Sequence, residues 1–330
     1  MIYSHPMTGS PRHIDRKDRR ILLELDGDSR RSYSSLAQRL RLPVETVRYR
    51  VQNLLERRLI LNFFAVIDGG KLGFYYYKVF LKLHNVSEAH VAKVIEFLVS
   101  NETVNWVVRV EGSYDLGFTI RVPHPIALSA FIDDLRARYR TYLHSWILSI
   151  NIKMDFLSRT YLLDRARKQM KIGAYSAHDS PYPLDRPDTL ILAELARNSR
   201  AAAAEIARKT GLSDDSVLQR IQRMQKDKVI VRYGLVLNNE ALGQVNYYVL
   251  IYLNKLSHER RESFFSYCTS KSNIVYIIKA LGEWDFEISV EAASVDDYRE
   301  LMMDLTTKYS DIIRDYNGMM VRTIHKYTYP

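Results

Sequence analysis

The residues of this chain best suited to act together lie in the segment Thr46-Val-Arg-Tyr-Arg-Val-Gln-Asn53. Val47, Val51 and Leu54 share one face at helical spacing, which turns Thr46, Arg48, Tyr49, Gln52 and Asn53 outward. Arg, Gln and Asn pair bidentately with base edges, and Arg or Tyr can also hold a phosphate. That set predicts a helix reading double-stranded DNA rather than a catalytic centre. Arg50 and Arg220 sit beside the apolar stripe. For them an internal ion pair, to Asp18 and Asp188, fits the spacing as well as a phosphate contact does. A second reader is expected at Ser213–Lys226, where Ser216, Gln219, Arg220, Gln222 and Arg223 offer contacts. Its start, Asp214-Asp215, suits a helix N-terminus but repels an approaching phosphate. With Leu218 and Gln219 standing where the first segment has Arg48 and Tyr49, the first reader is expected to contribute more affinity.

Other chemistry is poorly supported. The single cysteine, Cys268, allows neither an internal disulfide nor a CxxC metal knuckle, and none of the nine histidines is paired at i, i+4. There is no HExxH and no P-loop, and Gly69-Gly70-Lys-Leu-Gly73 has the wrong spacing for a dinucleotide loop. No catalytic residue, metal or cofactor is therefore expected. No apolar run approaches the 18 residues of a membrane span, and Met1–Ser10 has no apolar signal core, so a cytoplasmic protein without a membrane partner is expected.

The elements that would carry these residues appear twice. Asp15-Arg16-Lys17-Asp18 recurs 170 positions later as Asp185-Arg186-Pro187-Asp188. The same offset relates Ser29-Arg30 to Ser199-Arg200, Leu72-Gly73 to Leu242-Gly243, and Gly112-Ser-Tyr-Asp115 to Gly282-Glu-Trp-Asp285. One register held over a whole unit marks a tandem duplication. Within each unit, three short helical patterns precede a β-rich stretch, Ile60–Ile67 in the first; this predicts a winged helix-turn-helix, with Asp15 as N-cap and Pro43 in the first turn of the third helix. The remainder alternates as β-α-β-β-α-β, the ferredoxin-like order: a four-stranded antiparallel sheet with two helices on one face. The predicted class is α+β, with a tail over 1–14, helix-turn-helix units over 15–66 and 185–236, ferredoxin-like regulatory units over 67–160 and 237–330, and a linker over 161–184, rich in turn formers from Gly173 on.

Charge follows this division. The chain carries +10 overall. Residues 15–62 hold 12 Lys/Arg against 7 Asp/Glu, and residues 185–232 hold 10 against 7, whereas 233–330 is net acidic. The excess cations thus gather on the helix-turn-helix units, as a polyanion-binding surface requires.

These motifs resemble the Lrp/AsnC (feast/famine) transcription regulators. The resemblance rests on Ile14-Asp-x-x-Asp-x-x-Ile-Leu22 and its repeat Leu184–Leu192, on Ser-Arg before the second helix, and on Gly211-Leu-Ser-x-x-x-Val-x-x-Arg-Ile221. The Leu-Gly after the wing and the Gly-x-Tyr/Trp-Asp turn complete it. It implies DNA binding, regulatory sheets that pair face to face, homo-oligomers, and an amino-acid or related effector held between regulatory domains near Gly112, Ser113, Tyr114, Asp115 and Gly282, Glu283, Trp284, Asp285. From the residues alone, a hairpin glycine and a turn-capping Asp explain these positions equally well. The duplication departs from the single-unit pattern of most members and implies an intramolecular pseudo-dimer. Copy 1 also departs, with Arg41-Leu-Pro43 for Gly-Leu-Ser and Arg58 for the usual Gly. The sirohaem decarboxylases of the haem pathway are similar in fold and form the alternative. They carry Gly-Ala-Val-x-Asn-His after the wing, where this chain has Gly234-Leu-Val-Leu-Asn238-Asn239 and Ala65-Val-Ile-Asp68-Gly69, without the histidine.

Overall fold

In the computed structural model, residues 12–163, 169–178, 180–254 and 257–328 are described. The first unit opens with helices α1 (Arg16–Gly27), α2 (Tyr33–Leu40) and α3 (Val44–Glu56) and strand β1 (Ile60–Ile67). The second repeats them as α6 (Arg186–Arg197), α7 (Ala203–Thr210), α8 (Asp214–Lys226) and β7 (Ile230–Leu237). Asp15 caps α1 reciprocally with Asp18, and Asp185 caps α6 with Asp188 in the same way, satisfying amides that have no partner inside the helix. Pro43 falls one residue earlier than expected. It occupies the N-cap of α3 rather than its first turn and supplies no side-chain cap. Ile21, Leu22, Leu25, Leu36, Val47, Val51 and Leu54 are fully buried and form the helix-turn-helix core of copy 1.

The wing strand takes its partner from the other copy. Among the described residues β1 pairs only with β7, antiparallel, with Phe64 opposite Gly234. Those two positions differ by the repeat offset, so a pseudo-twofold axis passes between them. On the same axis Ser29 and Ser199 meet through their hydroxyls at 2.8 Å. Arg30 donates to the carbonyl of Ala201 at 3.0 Å, and Arg200 returns the contact to the carbonyls of Ser29 (2.6 Å) and Arg31 (3.0 Å). The Ser-Arg pair is thus a clasp between the copies.

The regulatory units follow the expected order: β2 (Tyr75–Leu83), α4 (Glu88–Ser100), β3 (Val104–Glu111), β4 (Leu116–Val122), α5 (Pro125–Tyr139) and β5 (Leu143–Leu157) in copy 1. In copy 2 they are β8 (Val245–Leu253), α9 (His258–Ser270), β9 (Ile274–Gly282), β10 (Phe286–Ala292), α10 (Val295–Lys308) and β11 (Ile313–Tyr327). β5 and β11 are 15 residues long, and each serves two sheets. The first half of β5 pairs with β2 and its second half with β9; β11 pairs first with β8 and then with β3. The two four-stranded sheets therefore face one another and are joined at both edges into a closed ring. Closure removes the edges that would otherwise be open to aggregation. The connector contributes a strand not foreseen in the sequence, β6 (Lys171–Ser176), which adds to β5.

Alternation along the strands sorts the faces. Val79, Leu81, Phe118 and Ile120 pack under α4 and α5, and Val249, Ile251, Ile288 and Val290 pack under α9 and α10. Phe80, Trp106, Val108, Tyr248, Leu250, Trp284 and Met319 fill the space between the sheets. Among the described residues no helix is long and apolar enough to cross a membrane.

Candidate DNA interface and regulatory turns

The reading face of α3 is built as its periodicity predicts. Arg48, Tyr49 and Gln52 are exposed, Tyr49 at 71%, while Thr46 and Asn53 are half-buried. Arg48 stacks over the Tyr33 ring at 5.3 Å and lies 3.4 Å from Glu45. Arg200 of copy 2 also lies over the Tyr33 ring, 4.6 Å from its centroid. Gln52 donates to Glu56 at 3.0 Å, and Asn53 accepts from Arg57 at 3.4 Å. Such exposed contacts are weak enough for DNA to displace.

Arg50 takes the internal option. It bridges Asp15 at 2.8 Å and Asp18 at 2.7 Å and fixes α3 against the start of α1. Burial works against its charge, but the two carboxylates outweigh it and hold the guanidinium above its usual range. Arg220 repeats the bridge to Asp185 (2.7 Å) and Asp188 (2.8 Å), and Arg223 adds a second contact to Asp188 at 2.5 Å. Arg50 and Arg220 thus orient the reading helices from behind, while Arg223 stays exposed beside its contact to Asp188. On α8 Leu218, Gln219, Gln222 and Arg223 are exposed, with Ser216 half-buried behind the Ser213 cap.

The backbone explains the substitutions in copy 1. Gly211 ends α7 at φ +73°, and its counterpart Arg41 ends α2 at φ 55°; Arg58 likewise sits at φ 53°. A side chain in this left-handed region costs about 1–2 kcal/mol. Both are exposed; Lys228 holds the Arg58 position in copy 2 at φ 55°, so Arg41, opposite Gly211, is the one that adds a cation to the copy whose reader is already the more basic.

The two Gly-x-x-Asp turns come together at one end of the ring. Tyr114 and Trp284 both pack on Phe80, at centroid distances of 6.0 and 5.8 Å. Gly112 and Gly282 take φ near +142°, and a Cβ on them would press on the Gly318 and Leu148 carbonyl oxygens of the opposite copy at 3.2 and 2.8 Å. Glycine is therefore required both by conformation and by close approach. Asp115 accepts from the Leu83 amide at 2.8 Å and from Lys82 at 3.2 Å, and Asp285 accepts from the Leu253 amide at 2.7 Å. Ser113 and Glu283 are exposed at the turn tips, and Trp284 is fully buried. Burial, with Tyr114 and Glu283 nearby, pushes the Tyr252 hydroxyl up to about 12.

Two buried charge clusters between the copies escaped the sequence reading. Lys78 on β2 meets Glu287 on β10 at 2.5 Å, both within the ring, with the ammonium 4.5 Å over Trp106. Arg159, just past β5, donates to Asp26 of α1 (2.7 Å) and to Glu291 of β10 (2.9 and 3.0 Å). Tyr161 and Asn239 complete the shell of Glu291. Burial works against the charge of Arg159, and the two carboxylates hold it well above its usual range all the same. Comparing the copies could have flagged both clusters, because Asp26, Lys78, Glu287 and Glu291 stand opposite Ala196, Tyr248, Gly117 and Arg121 in the repeat.

Against known proteins, the AsnC-type helix-turn-helix domain matches the chain twice, over residues 14–55 and 184–225. An HTH-type transcriptional regulator of Pyrococcus furiosus is 34% identical over 121 residues, 37% of this chain and 80% of the relative. The leucine-responsive regulatory protein of Haemophilus influenzae is 30% identical over 120 residues, 36% of this chain and 72% of that protein. Among solved structures, the siroheme decarboxylase NirDL superposes with a TM-score of 0.62 over 94% of this chain and 93% of its own, at 14% identity. That last likeness is one of fold.

Proposed function

Because the chain belongs to the Lrp/AsnC family of transcription regulators, with the family's unit carried twice, we propose that it binds double-stranded DNA sequence-specifically through α3 and α8 acting as one intramolecular pair. The observation that carries this reading is the clasp on the pseudo-twofold axis. β1–β7 pairing and the Ser29–Ser199 contact couple two helix-turn-helix units whose reading faces stay exposed. Covalent linkage raises the effective concentration of the second reader without new contacts. The half-sites are then unlike, because Arg48 and Tyr49 on one reader answer to Leu218 and Gln219 on the other, and they lie about one helical turn or a multiple apart. Arg48, Tyr49, Thr46, Gln52 and Asn53 are the base- and phosphate-contacting set of copy 1, with Gln219 and Gln222 the main contacts of copy 2.

The regulatory half of the reading is an amino acid or related small molecule bound near the paired turns at Gly112–Asp115 and Gly282–Asp285. Each turn packs against the last strand of the other copy, so a ligand there would alter how the copies seat and, through them, the readers. At the positions of the decarboxylase histidine stand Gly69 and Asn239, the latter donating to Glu291, and this favours regulation over that chemistry. Footprinting on native DNA with and without each amino acid tests the proposal: protected asymmetric sites whose occupancy shifts with one of them support it, and uniform, ligand-indifferent coverage opposes it.

A further inference from the structure

The inner faces of the two regulatory sheets are not equivalent, and the difference is one of charge. Copy 1 points Lys78 and Arg121 inward, and copy 2 points Glu287 and Glu291. From these placements we propose that the interior is a key that fits copy 1 only to copy 2, so that every assembled unit carries one of each reader and engages its operator in a single orientation. The consequence for DNA rests on the proposed function; the pairing rule does not.

Pseudo-symmetry lets the alternatives be worked out residue by residue. If copy 1 paired with copy 1 of a second chain, Gly117 would stand where Glu287 now receives Lys78, leaving two buried ammonium groups without a counter-ion. Arg159 would meet Arg121 in place of Glu291, cation against cation. If copy 2 paired with copy 2, Tyr248 would replace Lys78 opposite Glu287, leaving two buried carboxylates unpaired. Lys78 is 5% exposed and Glu287 and Glu291 each 1%, so bulk solvent does not reach these groups to relieve the mismatches. The two clusters are separate in space, one inside the ring and one at the junction with α1, yet both select the same pairing. A cavity of about 40 Å³ adjoins the first cluster, with Lys78, Asn105 and Asn151 set in a mostly aromatic and apolar lining that includes Trp106, Met154 and Tyr248. It is large enough for about two or three waters beside the Lys78 ammonium.

The axis residues give a direct test in the full-length chain. The Ser29 and Ser199 oxygens are 2.8 Å apart, so cysteines there bring their β-carbons within reach of a disulfide. Cys268 is fully buried and out of reach of a mild oxidant. Ser29→Cys and Ser199→Cys are each expected to give no covalent dimer on oxidation, and the double variant to cross-link nearly completely, within one chain or between copy 1 and copy 2 of an exchanged dimer. Covalent dimers from either single variant would show like-with-like pairing and overturn the proposal. In the double-cysteine background Glu287→Lys is expected to lose most of the cross-link, and adding Lys78→Glu to restore it. A cross-link unaffected by Glu287→Lys would show that charge does not set the pairing. No DNA enters the measurement, so its failure and that of the DNA-binding reading are distinguishable.

Discussion

Removing Lys78 is the sharpest test of how the interior is held together. Its ammonium lies 2.5 Å from Glu287, both side chains almost fully buried. At an effective dielectric near 20 the pair attracts by about 6–7 kcal/mol, and taking two ions out of water costs several kcal/mol each, so the net contribution of the intact pair is small. Breaking it is another matter. Lys78→Met leaves Glu287 with no counter-ion and with Oε2 already lacking a hydrogen-bond partner, which costs about 3–5 kcal/mol. For a chain of this size that lowers Tm by about 4–7 °C. Lys78→Met with Glu287→Leu replaces both charges by apolar groups and is expected to recover to within about 1 kcal/mol of the parent or better. Urea unfolding of the four proteins gives the coupling directly. A single variant as stable as the parent, or a double variant as unstable as the sum of the singles, would refute the reasoning.

Other expectations concern the readers and their supports. Arg48→Ala should weaken DNA binding and reduce the slope of log affinity against log salt by about 1, read by fluorescence anisotropy. Arg41→Gly should stabilise the chain by about 1 kcal/mol in denaturant unfolding, because glycine accepts the left-handed backbone, while lowering DNA affinity. Arg159→Leu leaves Glu291 without its cation and Asp26 with only the longer contact to Arg232 at 3.6 Å, and should cost about 3 kcal/mol, with faster amide exchange at the end of α1. Burial pushes the Asp15 carboxyl up, but the Asp18 amide and the Arg50 guanidinium outweigh it and hold it below 3.8. Its contribution is therefore present above the unfolded value near 4 and lost as pH falls through the lower folded value, which an NMR titration of Asp15 would follow.

Periodicity and caps carried most of the fold into the sequence. The Asp15–Asp18 box, the Val47–Val51–Leu54 stripe and the β-α-β-β-α-β order are local patterns, and each appears where its spacing puts it. What was illegible depends on contacts between the copies. Nothing near Ile60–Ile67 announces that β1 takes its partner from 170 residues away, because strand pairing leaves no local mark. β6 lay in a turn-rich connector whose pairing with β5 is likewise non-local. The arginines divide by the same principle: the exposure of Arg48 follows from its face, whereas the contact of the exposed Arg223 to Asp188 arises only because α6 lies beside it. Lys78 and Glu287 read as ordinary strand charges until the ring closes around them.

Binding of duplex DNA across a range of salt tests the central claim most directly. Two cationic readers on one chain predict an affinity that falls steeply with salt, with a log–log slope of about −4 or steeper, and a preference for an asymmetric operator over bulk competitor. A flat salt dependence, with operator and competitor bound alike, would contradict it.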